Sequence, residues 1–127
     1  MLIDTHCHLD FSDFEHDIDA IIDRARQAGV ERMISIGTTF ESSERAVELA
    51  EKYPEVYATV GHHPCNYDEF FDGEISRLTM LCRHPKVVAI GECGLDFYHM
   101  PTPDKFDSVR AYEDELHRIK SLQAEIF

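Results

Sequence analysis

The apolar residues of this 127-residue chain fall into short continuous blocks, separated by polar stretches whose apolar positions recur every three to four residues. That alternation predicts strand, helix, strand, helix, repeated along the chain. Residues 2–5 form the first strand. Ser12 followed by Glu15 has the capping-box pattern. Phe14, Ile18, Ile21, Ile22 and Ala25 then mark the inner face of a helix, with Gly29 as its stop. Residues 32–37 predict a second strand. Thr39 caps a second helix running to about Lys52, with Ala46, Leu49 and Ala50 inward and Pro54 ending it. Residues 56–61 make a third strand. Residues 67–83 are less regular and helical in their second half, where Ile75, Leu78, Leu81 and Cys82 recur at helical spacing. Residues 87–92 are a nearly unbroken apolar run, which fits a parallel strand buried on both faces. Pro101 and Pro103 mark a loop. Residues 107–127 read as a charged helix with Val109, Tyr112, Leu116, Ile119 and Leu122 as its apolar positions.

Strand onsets near residues 2, 32, 56 and 87 recur at about the length of one βα unit. Four such units are half of an eight-stranded barrel, which takes about 250 residues. The fold class is therefore α/β, either as an open doubly wound sheet or as part of something longer.

Composition narrows the function classes. A hydrophobic fraction of 43% with 29% charged residues describes a soluble globular domain. No run approaches the roughly 20 apolar residues of a membrane span, and the first residues lack the basic and long apolar regions of a signal peptide. The expected location is the cytoplasm, with no membrane partner. The net charge of −13 argues against general electrostatic attraction to nucleic acid. It leaves a nucleic-acid enzyme open, because bound divalent ions are often the largest positive charges in such a site. Cys7, Cys65, Cys82 and Cys93 form no C-x-x-C pair and are expected as free thiols with packing roles.

The chemistry-bearing residues cluster at the ends of the predicted strands. The first strand runs into Thr5-His6-Cys7-His8, and side chains at i and i+2 of an extended segment point the same way. Two imidazoles can then hold one divalent ion. The second strand ends in Gly37-Thr38-Thr39, the third in Gly61-His62-His63-Pro64, and the fourth in Gly91-Glu92-Cys93-Gly94-Leu95-Asp96-Phe97-Tyr98. Carboxyl ends of parallel strands converge on one mouth, where α/β enzymes carry their sites. Of His62 and His63, only one can face that mouth. The other histidines, His16, His84, His99 and His117, are read as surface residues. A carboxylate such as Glu92 can bridge two metals, since each oxygen takes one ion, and two-metal sites suit displacement at phosphate.

At these residues the sequence resembles the TatD family of metal-dependent deoxyribonucleases. The resemblance rests on Ile3-Asp4-Thr5-His6-Cys7-His8-Leu9-Asp10, on Gly61-His62-His63-Pro64, and on the segment from Ile90 to Tyr98, in that order and spacing. It implies the first four βα units of a TIM-type (β/α)8 barrel, truncated after the fourth strand and a following helix, as one partial hydrolase domain over residues 1–127. It implies two divalent metal ions (Mg, Mn or Zn), hydrolysis of phosphodiester bonds, and DNA as substrate. His6 and His8 match the family's first ligand pair and Glu92 its metal-bridging glutamate, the residue closest to catalysis. His63, Asp96 and Tyr98 match supporting or substrate-binding positions.

The family's later metal histidines and its ligating aspartate, the expected general base, have no counterpart in this chain. Residues 123–127 look like the opening of a helix leading to a fifth strand. The expectation is therefore an N-terminal half that needs a C-terminal half to complete its barrel. Two competing readings are a non-catalytic remnant and an amidohydrolase-type enzyme acting on a substrate other than nucleic acid.

Overall fold

The computed structural model describes residues 2–127. Its frame is one parallel sheet of four strands in the order β1-β2-β3-β4: β1 (Leu2–Cys7), β2 (Val30–Ile36), β3 (Val56–Val60) and β4 (Val87–Ile90). Each strand pairs in parallel with the one before it. A doubly wound sheet reverses its strand order at a switch point. The unbroken order here excludes that alternative. With right-handed crossovers it also places the connecting helices on one face of the sheet, as in a barrel.

Those connections carry α1 (Ile18–Gln27), α2 (Phe40–Lys52) and α3 (Glu74–Leu81). The core lies between them and the sheet. Ile22 of α1, Ala46, Val47 and Ala50 of α2, and Met33, Val56, Ala58 and Val60 of the central strands form one buried cluster, with Leu9 and Tyr53. Small residues on α2 let it lie close to β2 and β3. Thr39 caps α2 as its sequence predicts, its hydroxyl accepting from the Ser42 N–H at 3.2 Å. Gly29 ends α1 in the left-handed region, at φ 86°, the usual glycine stop.

Three expectations are corrected. Ser12 does not cap α1. Residues Ser12–Phe14 form a separate 3-10 turn without a side-chain cap, and the helix begins at Ile18. Phe14 consequently stays partly exposed instead of joining the inner face. The pattern of residues at i and i+3 was present, but the loop after β1 uses that stretch to change direction.

The second correction concerns β4. Its apolar run suggested burial on both faces, yet Val88 is 50% and Ile90 73% exposed. β4 is an outermost strand, and so is β1, where Leu2 and Ile3 are also exposed. The composition of β4 suits a covered strand, and the described residues supply no neighbour beyond it.

The third concerns residues 123–127. They do not open a new helix but close α4 (Val109–Ile126), which Ser108 caps by accepting from the Ala111 N–H. The helix α4 packs over the 3-10 segment Pro64–Glu69 rather than joining the core cluster. Ile119 and Gln123 are its buried residues.

Candidate metal centre at the carboxyl ends of the strands

The sequence brings four strand ends to one mouth, and close backbone approach makes the site possible. A Cβ on Gly61 would lie 2.6 Å from the Gly91 carbonyl carbon and from the Glu92 carbonyl oxygen. One on Gly37 would lie 2.8 Å from the Thr59 carbonyl oxygen. These two glycines let the ends of β2, β3 and β4 touch. The Gly91 N–H then donates to Val60 O and the Glu92 N–H to Gly37 O, each at 2.9 Å. The Thr59 hydroxyl donates to Gly91 O at 2.6 Å. Glu92 is thus held by its backbone, and its side chain is left free for other work.

That anchoring leads to a stability prediction. Gly61→Ala is expected to cost about 1–3 kcal/mol, because the clash is with backbone that cannot rotate away. Urea unfolding measures it, and an unchanged midpoint would show that the strand ends tolerate separation.

Glu92 faces the histidines of β1. His6 Nε2 lies 3.5 Å from Glu92 Oε1. The His6 and His8 rings are 5.2 Å apart edge to face. Ligand atoms of His6, His8 and Glu92 all lie within 4.8 Å of one another. Strand alternation therefore does what the sequence suggested: both imidazoles turn to one side. Cys7 turns to the other, its Sγ donating to Ile34 O at 3.2 Å. Burial, then the carboxylates of Asp4 and Asp10, push the Cys7 thiol up to about 12. Its Sγ is not among the donor atoms that converge with those of His6, His8 and Glu92.

Other groups fix the histidine loop. The His6 N–H donates to Asp4 Oδ1 at 3.0 Å. His8 stacks on Phe11 at 4.9 Å between centroids. Asp10, buried, accepts from the Ser42 hydroxyl at 2.7 Å, and its carbonyl accepts from Arg45. The loop is therefore tied to α2.

The three donors fit a divalent ion. Nitrogen and carboxylate donors bind Zn2+ at about 2.0–2.2 Å, with three protein ligands and an open position in catalytic sites. His8 Nδ1 is buried and has no hydrogen-bond partner. A ring nitrogen left in that state costs free energy unless something binds there.

The remaining expected site residues lie beside this cluster, not in it. His63 and Asp96 line a cavity of about 390 Å3 together with Glu92. His63 Nδ1 accepts from the Cys65 N–H, and its own N–H donates to Thr38 O at 2.8 Å. Tyr98 is 88% exposed and touches the site only through its N–H, which donates to Asp96 Oδ1. His62 turns away from the mouth into the protein, 2.6 Å from Glu74 Oε1. A larger cavity of about 730 Å3 lies between the loop after β1 and α2, and none of the three candidate ligands lines it.

One residue escaped the sequence reading. Gln123 of α4 is buried, and its Nε2 donates to Pro64 O at 3.0 Å and to Asp96 O at 3.2 Å. Its Oε1 accepts from the Asp96 N–H at 3.0 Å. It bolts together the two loops that follow β3 and β4. Its one signal in the sequence is its place four residues after Ile119, on the stripe that α4 buries.

Comparison with known proteins bears on the fold and the family. The TatD related DNase family model matches residues 3–126. A protein of Cronobacter turicensis named 3'-5' ssDNA/RNA exonuclease TatD is 38% identical over 127 residues, which is 99% of this chain and 48% of that protein. YjjV of Escherichia coli, described as an uncharacterized metal-dependent hydrolase, is 45% identical over 98 residues, covering 76% of this chain and 38% of its own length. The crystal structure of that TatD homologue superposes with a TM-score of 0.71 at 35% identity, over 98% of this chain and 46% of its own. A hydrolase of the same family from Entamoeba histolytica gives a TM-score of 0.71 at 25% identity. The chain spans about half the length of the curated relatives it matches. Its parallel sheet and helices are the first four βα units of a (β/α)8 barrel, and the chain belongs to the TatD-related DNase family.

Proposed function

We propose that this chain carries one side of a two-metal centre that hydrolyses phosphodiester bonds in DNA, and that residues 1–127 act as a single partial hydrolase domain. The observation that carries this reading is the convergence of His6, His8 and Glu92, with ligand atoms within 4.8 Å, at the carboxyl ends of β1 and β4. A bound divalent pair supplies Lewis-acid polarisation of the phosphoryl oxygen and a water acidic enough to attack near neutral pH. The chain's own residues set up that chemistry. His6 and His8, at the end of β1, would offer two nitrogens to such a pair, and Glu92, just after β4, would offer its carboxylate. Asp4, Phe11 and the backbone partners of Glu92 fix the orientation of the donors. Asp96, His63 and Tyr98 border the cavity beside Glu92 or the loop that forms it, where a bound strand would lie.

A second half of the barrel would bring the general base and the remaining ligands. The apolar edges of β1 and β4 favour that arrangement, since Ile3 and Ile90 are 53% and 73% exposed on the two outermost strands. The relatives named as exonucleases favour a nucleic-acid substrate. An amidohydrolase-type reaction has less support, because many of those enzymes bridge their metals with a modified lysine where this chain has Glu92. No described helix is long and apolar enough to cross a membrane.

The test is His6→Ala. His6 is exposed and outside the core, so the fold should persist. Metal affinity is expected to fall by more than about 100-fold, beyond the loss seen when only the support of a ligand is removed. With the second half of the barrel present, release of 3'-terminal nucleotides from single-stranded DNA should fall with it. Calorimetric metal titration and gel assays measure both, and unchanged metal content with unchanged nuclease activity would overturn the assignment.

A further inference from the structure

A second group of metal-ligating side chains lies outside the centre described above. Ligand atoms of Cys65, Asp96 and His99 come within 4.8 Å of one another. Cys65 Sγ lies 3.2 Å from Asp96 Oδ2, and His99 Nδ1 lies 2.7 Å from the same oxygen. Tetrahedral coordination at about 2.0–2.3 Å separates donors by about 3.3–3.6 Å; the two contacts to Asp96 Oδ2 are hydrogen bonds shorter than that, so the donors would open by a few tenths of an ångström around an ion. We propose that Cys65, Asp96 and His99 form a distinct site for a thiophilic divalent ion, Zn2+ foremost.

The loops that carry these donors are braced before any ion arrives. Asp96 Oδ1 is occupied by the N–H groups of Tyr98 and His99, at 2.8 and 3.0 Å. Only Oδ2 is therefore directed at Cys65 and His99. Gln123 holds the backbone of Asp96 and, through Pro64 O, the turn that presents Cys65. The donors come from loops after two different strands, so their meeting depends on the fold.

A nucleophilic triad is excluded by the same geometry. Cys65 and His99 both point at the carboxylate and not at each other, so the thiol has no base. Burial, and then its hydrogen bond to Asp96, raise the Cys65 thiol above the ordinary cysteine range, the opposite of an activated nucleophile. The hydrogen bonds of His99 and its backbone, and then of Cys65, hold the Asp96 carboxyl well below the usual range. The carboxylate is thus always charged at neutral pH.

When the ion binds, Cys65 gives up its Sγ proton to solvent and His99 offers a neutral nitrogen. One thiolate and one carboxylate then balance the two positive charges. A sulfur donor selects Zn2+ over Mg2+ or Mn2+, whereas the nitrogen and oxygen donors of His6, His8 and Glu92 discriminate less. The fourth position is left to water.

Cobalt(II) titration of the purified protein tests this, since sulfur ligation gives a near-ultraviolet charge-transfer band that nitrogen and oxygen donors do not. The band is expected in the native protein and in His6→Ala. It should vanish in Cys65→Ser, with Zn2+ affinity at that site weakened by at least about 100-fold, the upper end of what loss of mere second-sphere support costs. Serine keeps a hydroxyl for Asp96, and thermal melting checks that the fold is retained. Absence of the band in the native protein, its survival in Cys65→Ser or its loss in His6→Ala would each overturn the proposal. None of the donors is a metal ligand of the proposed nuclease centre, although Asp96 also borders the cavity beside Glu92, and the Cys65→Ser and His6→Ala variants let either site fail without the other.

Discussion

In a protein that carries both halves of the barrel, replacing Glu92 with glutamine is expected to slow phosphodiester hydrolysis at least about a thousandfold, some 4 kcal/mol of transition-state stabilisation. Glutamine has nearly the same shape but only one oxygen and no charge. In the bridging role proposed for Glu92 it could not serve two ions, and one is expected to leave. The fold should be indifferent. The segment is anchored by the N–H groups of Gly91 and Glu92, which the substitution keeps. The carboxylate has a close imidazole neighbour, His6 Nε2 at 3.5 Å, and is itself about a third exposed. Stability should therefore change by no more than about 0.5 kcal/mol. Metal content by mass spectrometry, nuclease rate and urea midpoint together separate the roles. A variant with native rate and native metal content would refute the bridging role, and a large drop in midpoint would show that Glu92 is structural.

The second large effect concerns stability. His62 and Glu74 are both essentially inaccessible to solvent, with side-chain exposures of 0% and 1%. His62 Nδ1 lies 2.6 Å from Glu74 Oε1, and its Nε2 lies 2.8 Å from Asn66 O. Glu74 Oε2 also accepts from the Phe71 N–H. The pair joins the end of β3 to the first turn of α3. Removing one partner leaves the other buried and unmatched, at a cost of about 3–5 kcal/mol. Glu74→Ala is expected to lose that much, a large share of the total for a small domain. Glu74→Gln keeps oxygen and shape and should lose less. The measurement is equilibrium unfolding in urea. A loss below about 1 kcal/mol for the alanine variant would mean that water or a rearranged side chain replaces the carboxylate.

These two sites differ in how visible they were beforehand. Glu92 could be singled out because it follows an apolar run and is flanked by glycines. His62 and His63 were adjacent, and alternation said only that one must turn inward. Packing against Phe70 and α3 decided that it was His62. Likewise, His-X-His on a strand fixed the common direction of His6 and His8 by geometry that depends on nothing distant. The Thr39 cap and the Gly29 stop were equally local. The Ser12 to Glu15 pattern was local too but misled, because a two-residue signature cannot report that the chain must turn before its helix begins.

The order of strands and helices, the shared side of His6 and His8, and the membership of the TatD-related family were set by the sequence itself. Each depends on spacing along the chain or on contiguous motifs. Tertiary structure alone decided the rest. It brought Glu92 from residue 92 to within reach of His6, through Gly37 and Gly61, whose missing side chains let three strand ends touch. It placed apolar β4 at an exposed edge, since burial depends on neighbours and not on composition. It made Gln123 a bolt between two loops, and it gathered Cys65, Asp96 and His99 around one carboxylate oxygen. Such contacts span tens of residues, and no periodicity records a contact that only folding creates.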